Sequence, residues 1–142
     1  MTAAERIRFA VVGCGHIGKR HAEMVKRHPE AELAALCDIR PAAETGIEGF
    51  GVPVFQDLDT MLREVPGIDV VNVCTPNGLH APMSLKALEA RKHVVSEKPM
   101  ALTKADCEAV IYKALQVHRT VFGVMQNRYS PPSQWIKQII DE

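Results

Sequence analysis

The most constraining stretch of this sequence is residues 7–18, IRFAVVGCGHIG, where a short apolar run meets three glycines spaced as GxGxxG. Ile7 to Val12 is apolar and β-branched-rich and stops at the glycines, which suits a strand buried on both faces; such strands belong to parallel sheets. From Ile17 to His28 the apolar residues Ile17, Ala22, Met24 and Val25 fall at helical spacing among basic and polar ones, until Pro29 ends the segment. A strand, a glycine turn and a helix in immediate succession leave few folds open. In such a unit Gly13 makes the tight turn, Gly15 lets a ligand reach the backbone with no Cβ in the way, and Gly18 lets the helix pack close to the strand.

The alternation continues along the chain. Leu33 to Cys37 reads as a second buried strand, Pro41 to Glu48 as a weak helix closed by Gly49 and Gly51, and Val54-Phe55 as a short extended piece. Asp57 or Asp59 can cap a helix through about Glu64, and Pro66-Gly67 then turn into a strand over Val70 to Cys74. Leu79 to Arg91 reads as a helix and His93 to Ser96 as a strand. Thr103 to His118 is a long helix with Asp106 in its first turn, Val121 to Met125 a further strand, and Ser130-Pro131-Pro132 open a last helix. Strands too apolar to face water, alternating with helices, predict an α/β fold: a Rossmann-type doubly wound parallel sheet with helices on both faces. No repeat, linker or low-complexity segment interrupts it.

The glycine turn then implies a ligand class. A diphosphate would sit on the N-terminus of the first helix, where free N–H groups and the helix dipole favour an anion. His16 and Ile17 complete this turn, although the imidazoles of His16, His21 and His93 read as turn or surface groups. Asp38 follows Gly18 by 20 residues, at the end of the second strand, where a carboxylate can accept from adenosine ribose hydroxyls. That pattern points to NAD. Arg40, two residues on, could meet a 2′-phosphate, so NADP stays open. The plainer alternative is a glycine turn beside a solvated aspartate.

Composition excludes several other classes. Seventeen Lys and Arg balance seventeen Asp and Glu, so no positive field is available for a nucleic-acid backbone or an anionic membrane surface. A hydrophobic fraction of 46% and a charged fraction of 24% in 142 residues suit one globular domain. Cys14, Cys37, Cys74 and Cys107 contain no CxxC pair, so neither a metal site nor a disulfide framework is expected, and reduced thiols suit the cytoplasm. Met1 to Arg6 shows no signal-peptide pattern, and no apolar run approaches the roughly 18 residues of a spanning helix.

Two further segments go beyond a general dinucleotide fold: Cys74-Thr75-Pro76-Asn77-Gly78-Leu79-His80 after the third long strand, and Glu97-Lys98-Pro99 after the next. Together with the glycine turn they resemble the glucose-fructose oxidoreductase, inositol dehydrogenase and MocA (Gfo/Idh/MocA) family, over essentially the whole chain. The resemblance implies that Thr75, Pro76, Asn77 and His80 lie along the cofactor, and that Glu97, Lys98 and Pro99 bring the lysine to the nicotinamide and substrate. It also implies that Gln126, Asn127 and Arg128 lie near the nicotinamide end, where the chain crosses to a second, substrate-binding domain expected beyond these 142 residues. Chemistry makes independent sense of Lys98 as the catalytic group, since hydride removal from an alcohol leaves a hydroxyl proton to be shared as charge builds on oxygen. Partly desolvated beside a cationic ring, a lysine shares its proton more readily with a neighbouring base. Lys98 could also be a solvated loop residue, and His80 a cap or packing residue of its helix.

Three functions are therefore in view. The first is the cofactor domain of an NAD(P)-dependent oxidoreductase acting on a secondary alcohol of a sugar, nucleotide sugar or cyclitol, with no turnover by this chain alone. The second is a non-catalytic NAD(H)-binding redox-sensing module, which would need no lysine at the nicotinamide. The third is a domain for another nucleotide, such as S-adenosylmethionine. Trp135, Ile136, Ile139 and Ile140 form an apolar face on the last helix, expected to pack into the core; without the second domain, part of that face could be exposed and drive dimerisation, giving a homo-oligomer.

Overall fold

The computed structural model describes residues 6–141, so Met1–Glu5 of the N-terminal reading and Glu142 lie outside the described residues. Six strands form one sheet: β1 (Ile7–Val12), β2 (Ala31–Cys37), β3 (Val54–Phe55), β4 (Val70–Val73), β5 (His93–Ser96) and β6 (Val121–Gly123). Between and after them run α1 (His16–Arg27), α2 (Ala42–Thr45), α3 (Leu58–Glu64), α4 (His80–Glu89), α5 (Lys104–Gln116) and α6 (Pro131–Asp141). Every strand pair is parallel, in the order β3-β2-β1-β4-β5-β6. The chain winds outward from β1 to β3, returns to the middle and winds outward again from β4 to β6. Loops after β1 and β4 therefore leave toward opposite faces and open a crevice at the carboxyl ends of the two central strands.

Alternation along β1 shows why its apolar run is continuous. Ala10 and Val12 enter one core cluster with Leu58 and Met61 of α3, Leu88 of α4 and Val110 of α5. Val11 enters a second cluster with Ala22 and Val25 of α1, Leu36 of β2 and Ile47. Both sheet faces are covered, and side chains as fully buried as Leu36, Ile47 and Leu88 each contribute about 1.5–3 kcal/mol.

Three segments differ from the sequence expectation. The helix expected over 41–48 is a single turn, α2, because Gly46 closes it in the left-handed region at φ +66°. Ile47 is then free to turn wholly into the core, and a 3-10 turn over Glu48–Phe50 follows. A second 3-10 turn, Asn77–Leu79, precedes α4, so that His80 is the first residue of the regular helix. The last difference is at the end of the chain: α6 has no buried residue, and Trp135, Ile136, Ile139 and Ile140 are 65%, 53%, 52% and 75% exposed. The expected core packing of that face is therefore corrected; α6 continues from the 3-10 turn Gln126–Tyr129 and meets little else. No helix among the described residues is long and apolar enough to cross a membrane.

Candidate functional site

The glycine turn stands at the carboxyl end of β1. Gly13 sits at φ +85°, and a Cβ there would lie 2.6 Å from the backbone of Cys74 and Thr75, so both conformation and space require glycine. A Cβ on Gly18 would meet the Gly13 carbonyl oxygen at 1.9 Å; the close approach it permits is to the turn itself as well as to the Cys74 side chain beyond β4. Gly15 differs, because a Cβ there meets no protein atom within 4 Å. It forms the N-cap of α1 with no side-chain cap, and the first turn carries no acidic residue. The leading N–H groups of a twelve-residue helix are thus left without a capping side chain, the arrangement that receives an anion.

A cleft of about 460 Å³ opens beside this turn, lined by Gly13, Gly15, Asp38, Arg40, Thr75 and Pro76 together with Ile39, Gln56, Leu79, Met83 and Lys86. Asp38 is 7% exposed. Its Oδ2 accepts from the Cys14 N–H at 2.8 Å and from Arg40 Nη2 at 3.1 Å, and its Oδ1 from the Arg40 N–H and Nε, both at 3.0 Å. Burial by itself would raise the Asp38 carboxyl, but the hydrogen bonds from Arg40 and Cys14 and the Arg40 charge outweigh it and hold the carboxyl below its ordinary value. Arg40 is folded onto Asp38 yet half exposed, so its side chain can swing away and free two acceptor positions while the Cys14 bond keeps the carboxylate in place.

A second cleft of about 260 Å³ adjoins the first and shares Cys74 and Thr75 with it. It gathers Ile17, Asn77, His80, Glu97, Lys98 and Gln126 from four separate segments. Thr75 Oγ1 is buried with no hydrogen-bond partner, an unmet polar atom at the junction of the two clefts. Glu97 is held from both sides: its Oε1 accepts from His21 Nε2 at 3.0 Å, and its Oε2 from the Lys98 N–H at 3.2 Å. His21 Nδ1 in turn meets the Asn72 amide nitrogen at 3.2 Å. The Lys98–Pro99 peptide is cis. His80 is 1% exposed, with Nδ1 at 2.6 Å from the Pro99 carbonyl oxygen and Nε2 at 2.7 Å from that of Thr75.

The structure therefore brings together most of the residues singled out in the sequence, with exceptions. The His16 side chain lies in a surface groove with Lys19, Arg20 and Glu23, so only its backbone belongs to the turn. Asn127 lines neither cleft; it joins Lys98, Gln126 and Arg128 in a third, more open cavity of about 610 Å³. His21, expected at the surface, is a half-buried member of the Glu97 network, because α1 turns the face carrying Gly18, His21 and Val25 toward the sheet. Spacing i, i+3, i+7 from Gly18 was the available signal for it. Asn72, a polar residue inside the wholly buried strand VVNV, was the other. Leu79, Met83 and Lys86 reach the first cleft only through the placement of α4, which no local pattern specifies.

Thiol chemistry has little place here. Burial, and next the Asp38 charge, pushes the Cys14 thiol up to about 11; burial, and next Cys14, pushes Cys37 up to about 12; burial, and next Glu97, raises Cys74 as well. Among the described residues no three His, Cys, Asp or Glu side chains are grouped to hold a metal ion.

Comparison with known proteins supplies the remaining findings. Residues 7–124 match the profile of GFO_IDH_MocA, described as an oxidoreductase family with an NAD-binding Rossmann fold. The chain is 31% identical over 140 residues to inositol 2-dehydrogenase of Rubrobacter xylanophilus, covering 96% of this chain and 40% of that protein. It is 33% identical over 135 residues to D-glucoside 3-dehydrogenase of Escherichia coli, covering 93% and 38%. Among solved structures, the WlbA dehydrogenase from Bordetella pertussis in complex with NADH and UDP-GlcNAcA superposes with a TM-score of 0.90 at 34% identity, over 96% of this chain and 42% of that one. The scyllo-inositol dehydrogenase from Lactobacillus casei with bound NAD(H) and scyllo-inositol superposes with a TM-score of 0.86 at 30% identity, over 96% and 41%. The chain thus spans about 40% of the length of the relatives it matches.

Proposed function

Because the chain belongs to the Gfo/Idh/MocA oxidoreductase family, we propose that residues 1–142 are the nicotinamide-dinucleotide domain of an enzyme that moves a hydride between NAD and a secondary alcohol of a sugar, nucleotide sugar or cyclitol. The observation that carries this reading is the pair of joined clefts, which has an uncapped helix N-terminus in the middle, a buried carboxylate at one end and a lysine at the other. The open side of Gly15 would seat the diphosphate, Asp38 the adenosine ribose, and the unpartnered Thr75 Oγ1 offers a hydrogen bond where the clefts meet. When bound, the dinucleotide supplies a hydride acceptor. Lys98 would then steady the substrate hydroxyl and share its proton as charge builds on oxygen.

A substrate-binding domain with the remaining acid–base groups is proposed to lie in the length by which the relatives exceed this chain, so that these residues bind cofactor without turning substrate over. The class of substrate is supported by the relatives' names, which include an inositol and a D-glucoside dehydrogenase. Those names also favour catalysis over the redox-sensing module. NAD is the preferred cofactor, because the buried Asp38 carboxylate would face a 2′-phosphate with like charge. Free cysteines, two of them buried, support a place in the cytosol, and the exposed face of α6 supports association with a second copy of the chain.

Calorimetric titration with NAD, NADH, NADP and NADPH tests this reading. NADH should bind, the 2′-phosphorylated forms about tenfold or more weaker, and Asp38→Ala should narrow that difference. Absence of binding by any of the four would overturn the assignment, and stronger binding of NADPH would overturn the role of Asp38.

A further inference from the structure

Lys98 is flanked by two residues that each end on a histidine from another element. Glu97, before it, is bonded to His21 of α1, and the Pro99 carbonyl, after it, to His80 at the start of α4. The partners on each ring decide where its protons are. Around His21, Nε2 meets the Glu97 carboxylate, which accepts, and Nδ1 meets the Asn72 side-chain amide, whose oxygen is otherwise buried without a partner, so the amide can serve Nδ1 in either sense. Nε2 of His21 is a donor in either case. Around His80, both partners are carbonyl oxygens at 2.6 and 2.7 Å, and a carbonyl only accepts. Both ring nitrogens must then be donors.

We infer that Lys98 is set in position by two histidines: His21 acting through Glu97, and doubly protonated His80 tying the Pro99 carbonyl to the Thr75 carbonyl. Both are positioning residues. A neutral His80 would turn a bare lone pair onto one of the two oxygens at hydrogen-bond distance, which repels. The N-terminus of α4, the burial of the ring and Lys98 in the same cleft disfavour a cation, while two charge-assisted hydrogen bonds to carbonyl oxygens and the Glu97 carboxylate favour it. The titratable groups lining the cleft with His80 are Glu97 and Lys98 after β5 and Cys74 after β4. The Glu97 carboxylate is the anion among them. Ile17 of α1 and Asn77 and Gln126 of the 3-10 turns bring no charge. The clamp joins the Thr75-Pro76-Asn77 loop to the Lys98 loop, so losing the second proton of His80 releases one loop from the other.

This inference deepens the proposed function and rests on it only for what Lys98 does. The test is a long-range ¹H–¹⁵N correlation spectrum of the histidine rings in the cofactor-free chain at pH 7. Both His80 nitrogens should fall in the protonated range, and His21 should show a protonated Nε2. On raising the pH, the backbone amides of Asn77 and Lys98 should shift with the same midpoint as the His80 ring, while Ala43 of α2 stays still. In His80→Gln, which can donate to only one carbonyl at a time, that shared titration should vanish, and NADH affinity should fall about fivefold to tenfold. A bare nitrogen on His80 at pH 7, or a Lys98 amide that titrates unchanged in His80→Gln, overturns the clamp. Failure of NADH to bind the unaltered chain would count against the proposed function alone, because the ring-nitrogen shifts read the clamp without cofactor.

Discussion

Gly15 and Gly18, three residues apart, make opposite demands on a side chain. At Gly18 a methyl group would lie 1.9 Å from the Gly13 carbonyl oxygen, so Gly18→Ala must push α1 away from the turn; overpacking of this kind costs about 1–3 kcal/mol or more, which a lowered urea midpoint will show. At Gly15 there is open space and an ordinary φ of −69°, so Gly15→Val should lower the urea midpoint only by what a poorer N-cap costs, about 1 kcal/mol, while NADH binding falls at least a hundredfold by calorimetry. Retained binding in Gly15→Val would mean that the diphosphate does not approach there. Asp38 adds a pH dependence whose sign follows from its environment. The fold lowers its carboxyl, chiefly through Arg40 and against the opposing effect of burial. The stability gained is therefore complete above the unfolded value of about 3.9 and is lost as pH falls through the lower folded value. Asp38→Asn should be less stable than the parent at pH 7, and the two should converge on acidification below about pH 4. Unfolding curves that stay equally separated from pH 7 to pH 2 would show that the charge on Asp38 contributes nothing.

The starts of α3 and α5 are set by side chains three residues from the N–H they cap, a spacing that is legible in the sequence. Asp57 caps α3, its Oδ1 accepting from the Thr60 N–H at 2.8 Å and the Thr60 hydroxyl at 2.7 Å. Asp57→Ala should cost about 1 kcal/mol in urea unfolding, and Asp57→Ser should recover most of it. Thr103 caps α5 in the same way, with its hydroxyl accepting from the Asp106 N–H at 3.1 Å. Sequence patterning left Asp57 and Asp59 as equal candidates; Asp59 instead pairs with Lys86 of α4, a contact made across two elements. The shortening of α2 has a similar origin, since Ile47 is drawn into the core formed by α1 and β2, and Gly46 provides the bend.

For the molecule as a whole, the doubly wound sheet covers its central strands on both sides but leaves its β6 end bare. Phe122 on β6 is 54% exposed, Met125 56% and Tyr129 75%, and the apolar face of α6 continues from them. An apolar surface of this extent favours association. Light scattering over a concentration series should show the chain self-associating, and Trp135→Ser with Ile139→Ser should return it to monomer. A chain that stays monomeric throughout would remove the proposed second copy.

What the sequence by itself determined is local: the glycine turn between strand and helix, the acid at the end of β2, the helix caps, and strands too apolar to meet water. Each depends on residues within a few positions of one another, where backbone sterics and hydrogen bonding act. Tertiary structure alone decided which residues share a cleft. His21, Asn72 and Glu97 are separated by 76 positions from first to last, and they meet because the parallel register sets β4 beside β5 and α1 packs across β4. His80 reaches the Thr75 and Pro99 carbonyls for the same reason, since a loop's backbone oxygens carry no signature that a sequence can show. The exposure of α6 was equally out of reach, because an amphipathic helix has the same pattern whether its apolar face meets a core or stands open.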